Sequence, residues 1–85
     1  MAFHIEFVRS AARELQVLPQ PIRRRVERAI GGLAVDPRPP GAKLLSGAGR
    51  RWRVRVGDYR ILYLIHDNLV LVVIVRVGHR SDVYR

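Results

Sequence analysis

Arginine carries the chemistry that this sequence can do. Arg51, Arg53 and Arg55 alternate with Trp52, Val54 and Val56, and Arg60 follows a little further on. A guanidinium is a planar, permanently charged donor that grips a phosphate through two parallel hydrogen bonds. Period-two spacing on a strand sends all three alternating arginines to one face. A two-residue turn at Gly57-Asp58 pairs Arg55 with Arg60 across a hairpin, and Arg53 with Leu62. Like charges directly opposite each other destabilise a sheet. A solvated face screened by salt tolerates that cost; an anion site puts it to use. The residues alone leave both readings open. Arginine binds and neutralises phosphate but does not release a proton in a protein, so any acid or base must come from elsewhere. Histidine is the side chain that ordinarily titrates near neutrality, and His79 lies close by in sequence. A surface histidine in a loop is the plain alternative.

The composition agrees with an anionic partner. Sixteen basic residues oppose seven acidic ones, a formal charge of +9, and all but Lys43 of the sixteen are arginine. That balance suits nucleic acid, an anionic membrane or an acidic protein. A GC-rich genome also raises arginine, which accounts for its number better than its placement. Cysteine is absent, which excludes disulfides and thiolate sites and fits a reducing compartment. His4, His66 and His79 are far apart and show no ligand spacing, so neither metal nor cofactor is expected. The N-terminus lacks a basic segment followed by an apolar run. The longest apolar stretch, Leu69 to Val75, is far short of the ~20 residues that span a bilayer. A cytoplasmic protein with no membrane partner is expected. The 85 residues are expected to form one domain, 1–85, with a thin stability margin.

These side chains need elements to position them. Residues 3–7 alternate apolar and polar and predict a short strand. Ser10 is a candidate N-cap for a helix carrying Ala11, Ala12, Leu15 and Leu18, stopped by Pro19. Pro21 suits the first turn of a second helix, whose apolar stripe is Ile22, Val26, Ala29, Ile30 and Leu33, with Gly31-Gly32 weakening its end. Residues 36–50 are rich in proline and glycine and predict a loop, pinned by Leu44 and Leu45. Three strands follow, 51–56, 59–66 and 69–77, joined by two-residue turns at 57–58 and 67–68. The second turn then places His66 opposite Leu69 and Leu62 opposite Val73. Gly78 breaks the chain before a short tail. The order predicts an α+β fold: a strand, two helices, then a three- to four-stranded antiparallel meander with the helices on one face. That face takes Trp52, Val54, Val56, Tyr59, Ile61, Tyr63, Ile65, Val70, Val72 and Ile74. The other face takes the arginines at one end, with Leu62, Leu64, Leu69, Leu71, Val73 and Val75. Two helices cannot cover both faces, so this apolar surface beside the arginines predicts a partner, a second copy, or cover from the loop and tail.

Lys43-Leu44, the run RWRVRVGDYRILY (51–63) and VGHRSDVYR (77–85) together resemble the RelE/ParE toxin superfamily of type II toxin–antitoxin systems, and the resemblance covers essentially the whole chain. It implies a RelE-like microbial ribonuclease fold. It also implies a metal-independent endoribonuclease, an mRNA interferase, that cuts messenger RNA in the ribosomal A site by attack of the RNA's own 2′-hydroxyl and so inhibits translation. Carried across by motif, Arg60 matches the arginine of the glycine–aromatic–arginine motif, Arg80 the arginine after the last strand, and Tyr84 the C-terminal tyrosine. Arg53 and Arg55 match basic strand positions that are often lysine in the family, a departure that removes a general base from them. These five are the expected catalytic residues. Lys43, Arg50, Arg51 and His79 are expected to bind RNA. Tyr84, or His79, remains for proton transfer. The resemblance also implies a cognate antitoxin wrapping the toxin, with the ribosome and its messenger as the target. One alternative is the ParE branch, which poisons DNA gyrase on the same fold without nuclease activity. Another is a non-enzymatic basic nucleic-acid-binding module, though no recognition helix or stacking platform is evident.

Overall fold

A computed structural model describes residues 2–47 and 49–83. The elements run β1 (His4–Phe7), α1 (Arg9–Gln16), α2 (Gln20–Val35), β2 (Lys43–Leu44), β3 (Trp52–Val56), β4 (Tyr59–His66) and β5 (Leu71–His79). The strands form one sheet in the order β1-β5-β4-β3-β2. β3, β4 and β5 are the expected antiparallel meander. Two additions make it a mixed five-stranded sheet. β1 joins the far edge parallel to β5. Lys43 and Leu44, expected in a loop, pair with Arg53 and Trp52 as a two-residue strand.

α1 ends at Gln16, short of the expected stop at Pro19 and leaving Leu18 outside the helix. Pro21 occupies the first turn of α2 as expected, where a missing N–H costs nothing. The N-cap of α1 differs from expectation. Val8, not Ser10, precedes the helix, and no side chain caps it. The Val8 N–H donates to the Ile74 carbonyl at 3.0 Å, so β5 already fixes the entry angle that a cap would otherwise set. Gly31 and Gly32 do not end α2. Leu33 is buried in the core, and the Ala34 carbonyl accepts the Phe3 N–H at 2.7 Å, so tertiary contacts hold the last turn against a poor local propensity.

The core lies between the helices and one sheet face. Ala11, Val26, Ile30 and Leu33 meet Val56, Ile61, Tyr63, Val72, Ile74 and Val77. Tyr63 is fully buried and donates its hydroxyl to the Pro37 carbonyl at 2.7 Å. Burial pushes its phenol pKa up to about 12.

The first hairpin has the expected register, with Val56 opposite Tyr59 and Arg55 opposite Arg60. Gly57 turns it at φ +59°. A Cβ there would meet the Arg25 guanidinium at 3.6 Å, an ordinary contact, so the penalty for Gly57→Ala is conformational. We expect a loss of about 1–2 kcal/mol, measurable by denaturant unfolding.

The second hairpin departs from expectation twice. Asp67–Leu69 forms a single 3-10 turn, closed by Val70 at φ +51°, so His66 faces Leu71 instead of Leu69. Arg38 grips both Asp67 carboxylate oxygens, at 3.1 and 2.8 Å, and fastens this turn to the loop before β2. That pairing also holds the Asp67 carboxyl below its ordinary pKa. Further along, Tyr63 faces Ile74 but Leu62 faces Arg76, leaving Val75 as the extra residue of a β-bulge. An unbroken strand would send Arg76 to the core side with Val72 and Ile74. The bulge delivers Val77 to the core opposite Ile61 and spares the cost of burying an arginine there.

The open face is less apolar than expected. Leu62, flanked by Arg53 and Arg76 in the register, is only 2% exposed. Leu64, Leu71, Val73 and Val75 are half-buried, and Leu69 lies in the turn rather than on a strand.

Candidate functional site

Two rows of cations cross the open face. Lys43 of β2 faces Arg53 of β3, which faces Leu62 of β4, which faces Arg76 of β5. One step nearer the Gly57-Asp58 turn, Arg55 faces Arg60, which faces Gly78. Directly opposed residues on neighbouring strands stand about 4.5–5.5 Å apart at Cβ, so Lys43, Arg53, Arg55 and Arg60 form one patch of positive charge. Around it, Pro40, Gly41, Ala42, Lys43, Arg53, Val54 and Arg55 line an open depression of about 460 Å³. Arg53 Nε is buried there without a hydrogen-bond partner, a donor whose desolvation nothing in the described chain repays. The Arg60 guanidinium is held in place: Nη1 donates to the Gly57 carbonyl at 3.2 Å and to the Tyr59 carbonyl at 3.1 Å.

The segment after β5 joins this end of the sheet. The Arg80 N–H donates to the Asp58 carbonyl at 2.8 Å, which sets the exposed Arg80 beside the β3–β4 turn. The Asp82 and Val83 N–H groups both donate to the His79 carbonyl, at 2.9 and 3.1 Å. Val83 is buried and anchors the turn. Tyr84 lies outside the described residues.

Three of the expected site residues stand apart from this patch. His79 faces Tyr59, and the two rings meet edge to face at a centroid distance of 5.6 Å. Tyr59 faces Val56 of the core, so the His79 ring lies on the helix side of the sheet. Its Nδ1 accepts the Ser81 N–H at 3.2 Å and meets Ser81 Oγ at 2.9 Å. Arg50 sits at the opposite end of β3, with a left-handed φ of +48°. It lines a different cavity of about 490 Å³ with Arg38, Trp52, His66 and Asp67, where the Arg38 guanidinium stacks 5.2 Å from the Trp52 ring centroid. Arg51, exposed, precedes β3 at that same end.

The period of the sequence does not mark Arg76 as a member of the cation rows, because β5 reads there as a nearly all-apolar strand. A lone charge in such a run is the signal that exposes it. Among the described residues, no group of three or more His, Cys, Asp or Glu is arranged to hold a metal ion, and no helix is long and apolar enough to cross a membrane.

The family described as ParE toxin of type II toxin–antitoxin system, parDE, matches residues 5–84. Toxin RelG of Mycobacterium tuberculosis is 40% identical over 86 residues, covering 100% of this chain and 99% of the relative. Toxin RelE of the same organism is 36% identical, covering 98% of this chain and 87% of the relative. Among solved structures, the M. tuberculosis toxin–antitoxin complex RelBE2 contains a chain with TM-score 0.81 and 37% identity, covering 96% of this chain and 95% of that one. The archaeal RelE–RelB complex of Pyrococcus horikoshii gives TM-score 0.82 and 25% identity, covering 96% and 99%.

Proposed function

Because the chain belongs to the RelE/ParE toxin family of type II toxin–antitoxin systems, we propose that it is a ribosome-dependent endoribonuclease that cuts messenger RNA in the A site and arrests translation. The observation that carries this reading is the patch of Lys43, Arg53, Arg55 and Arg60 with Arg80 fastened beside it. Cleavage begins when a 2′-oxygen loses its proton and attacks the adjacent phosphorus. The bond to the 5′-oxygen then breaks, and that oxygen takes a proton as it leaves. The products are a 2′,3′-cyclic phosphate and a 5′-hydroxyl. Charge accumulates on the phosphorane between these events, and preorganised cations aimed at it are the largest single source of acceleration. Arg60 and Arg80 take that role. Arg53 and Arg55, with Lys43, hold the flanking phosphates. For proton transfer we propose Tyr84 over His79, whose ring lies across the sheet against Tyr59.

The same reading extends to the partner. RelB–RelE complexes are among the similar solved structures, and a cognate antitoxin is proposed for this chain too. Acidic and apolar side chains on it would complement the basic rows and the half-buried Leu64, Leu71 and Val73 beside them. The whole 85 residues act as one toxin domain in the cytoplasm, where the ribosome is.

A ParE-like gyrase inhibitor is the second reading, favoured by the name of the matching family. One experiment separates the two. Purified protein added to ribosomes carrying a defined messenger is expected to cut it at the A-site codon while leaving gyrase supercoiling intact. Whole messenger with blocked supercoiling would overturn the ribonuclease reading in favour of the gyrase one.

A further inference from the structure

We propose that Glu14 and Arg76 are positioning residues of the cleavage site, a strut that holds the segment bearing Arg80 in register with the arginine face. This rests on the ribonuclease reading above. β1 ends at Phe7, whose register partner is Ile74, while β5 continues to His79. Beyond Ile74, among the described residues, α1 and not a strand lies along the outer edge of β5. One Glu14 carboxylate oxygen accepts the Val77 N–H at 2.9 Å, and the other accepts Arg76 Nε at 3.0 Å. Arg76 also turns a second donor to the tail: Nη2 reaches the Asp82 carbonyl at 3.3 Å. Helix, bulged strand and tail are thus joined through one guanidinium.

Three features favour positioning over plain stability. The pair is half-buried, with both side chains under a third exposed, and an apolar pair at such a site often stabilises a fold as well or better. The Arg76 fork turns Nε to Glu14 on α1 and Nη2 to the Asp82 carbonyl in the tail, a division that a lysine's single ammonium cannot reproduce. Among the described residues, the backbone bonds of the tail to Asp58 and to His79 hold it to its own end of the hairpin, and the Arg76 link refers it to α1 as well. Arg76 shares a row with Arg53 and Lys43, yet Glu14 neutralises it, so it is not spent on phosphate.

The test uses Arg76→Lys and Glu14→Gln in the full-length protein with programmed ribosomes. Both are expected to lower kcat about tenfold, the scale of a sub-ångström misplacement of a catalytic cation. The KM for the programmed ribosome is expected to stay within about twofold. Amide hydrogen exchange at Arg80, Ser81, Asp82 and Val83 should accelerate while exchange in the β4 core does not. Wild-type kcat in both variants would overturn the proposal. So would a rise in KM without a fall in kcat, which would make Arg76 a substrate ligand, or faster exchange throughout the core, which would make the pair merely structural. If the wild-type protein cuts no messenger, the ribonuclease reading fails. The strut then stands or falls on the exchange at residues 80–83.

Discussion

Arg80→Ala is expected to slow single-turnover messenger cleavage by about 100- to 1,000-fold, the loss typical of removing one preorganised donor from a developing oxyanion. The fold should not suffer. Arg80 is exposed, and the bond that fixes its place runs from its backbone N–H to Asp58, which alanine keeps. Arg60 offers an instructive contrast. Its guanidinium also ties down the Gly57 and Tyr59 carbonyls, so Arg60→Ala should lose activity and loosen the turn together. Arg80 is therefore the cleaner probe of charge stabilisation. Rapid-quench cleavage on programmed ribosomes, with denaturant unfolding in parallel, checks it. An Arg80→Ala protein of wild-type stability that cuts at the wild-type rate would remove Arg80 from the site. Weaker binding at an unchanged cleavage rate would make it a ground-state phosphate ligand instead.

What could be read in advance followed from period and turn chemistry. The alternation from Arg51 to Val56 and the glycine at 57 set the first hairpin, and with it the facing of Arg53, Arg55 and Arg60. The run from Leu69 to Val75 is apolar throughout and carries no period, so its register had nothing to fix it. Both surprises fall there: the longer turn closed by Val70, and the bulge at Val75. The bulge decides a functional question. In an unbroken strand the odd positions share the arginine face, and His79 would lie there. One extra residue flips that parity, sending Val77 and His79 to the helix side and Arg76 to the cations. The pairing of Glu14 with β5 was equally hidden, since it depends on where β1 stops. A two-residue strand such as Lys43–Leu44 is too short for any pattern to announce. The resemblance supplied Lys43 as a candidate; the pairing with Arg53 supplied its place in the row.

Tyr63 is expected to carry the largest stability effect in the chain. Tyr63→Ala should cost about 3–5 kcal/mol, as for other large aromatic truncations in a core. That approaches the whole margin of a small domain, commonly about 5–15 kcal/mol. Tyr63→Phe isolates the hydroxyl. It keeps the ring but leaves the buried Pro37 carbonyl without its donor, a penalty of about 1–3 kcal/mol. The phenol also links stability to pH. Its folded pKa is raised to about 12 by burial, above the ordinary value near 10. The protonated form is therefore the one the fold favours, and its contribution is complete below about pH 10. It is lost as pH rises from there through about 12. Denaturant unfolding at alkaline pH should show this loss in the wild-type protein and not in Tyr63→Phe. Parallel curves for the two would deny the phenol its role. The consequence reaches the site, because Pro37 precedes Arg38, which clamps Asp67 and stacks on Trp52. The same loop leads into Lys43. Loosening the Pro37 anchor should therefore weaken the Lys43–Arg53 row, so Tyr63→Phe is expected to raise the KM for ribosome-bound messenger at temperatures where the variant remains folded.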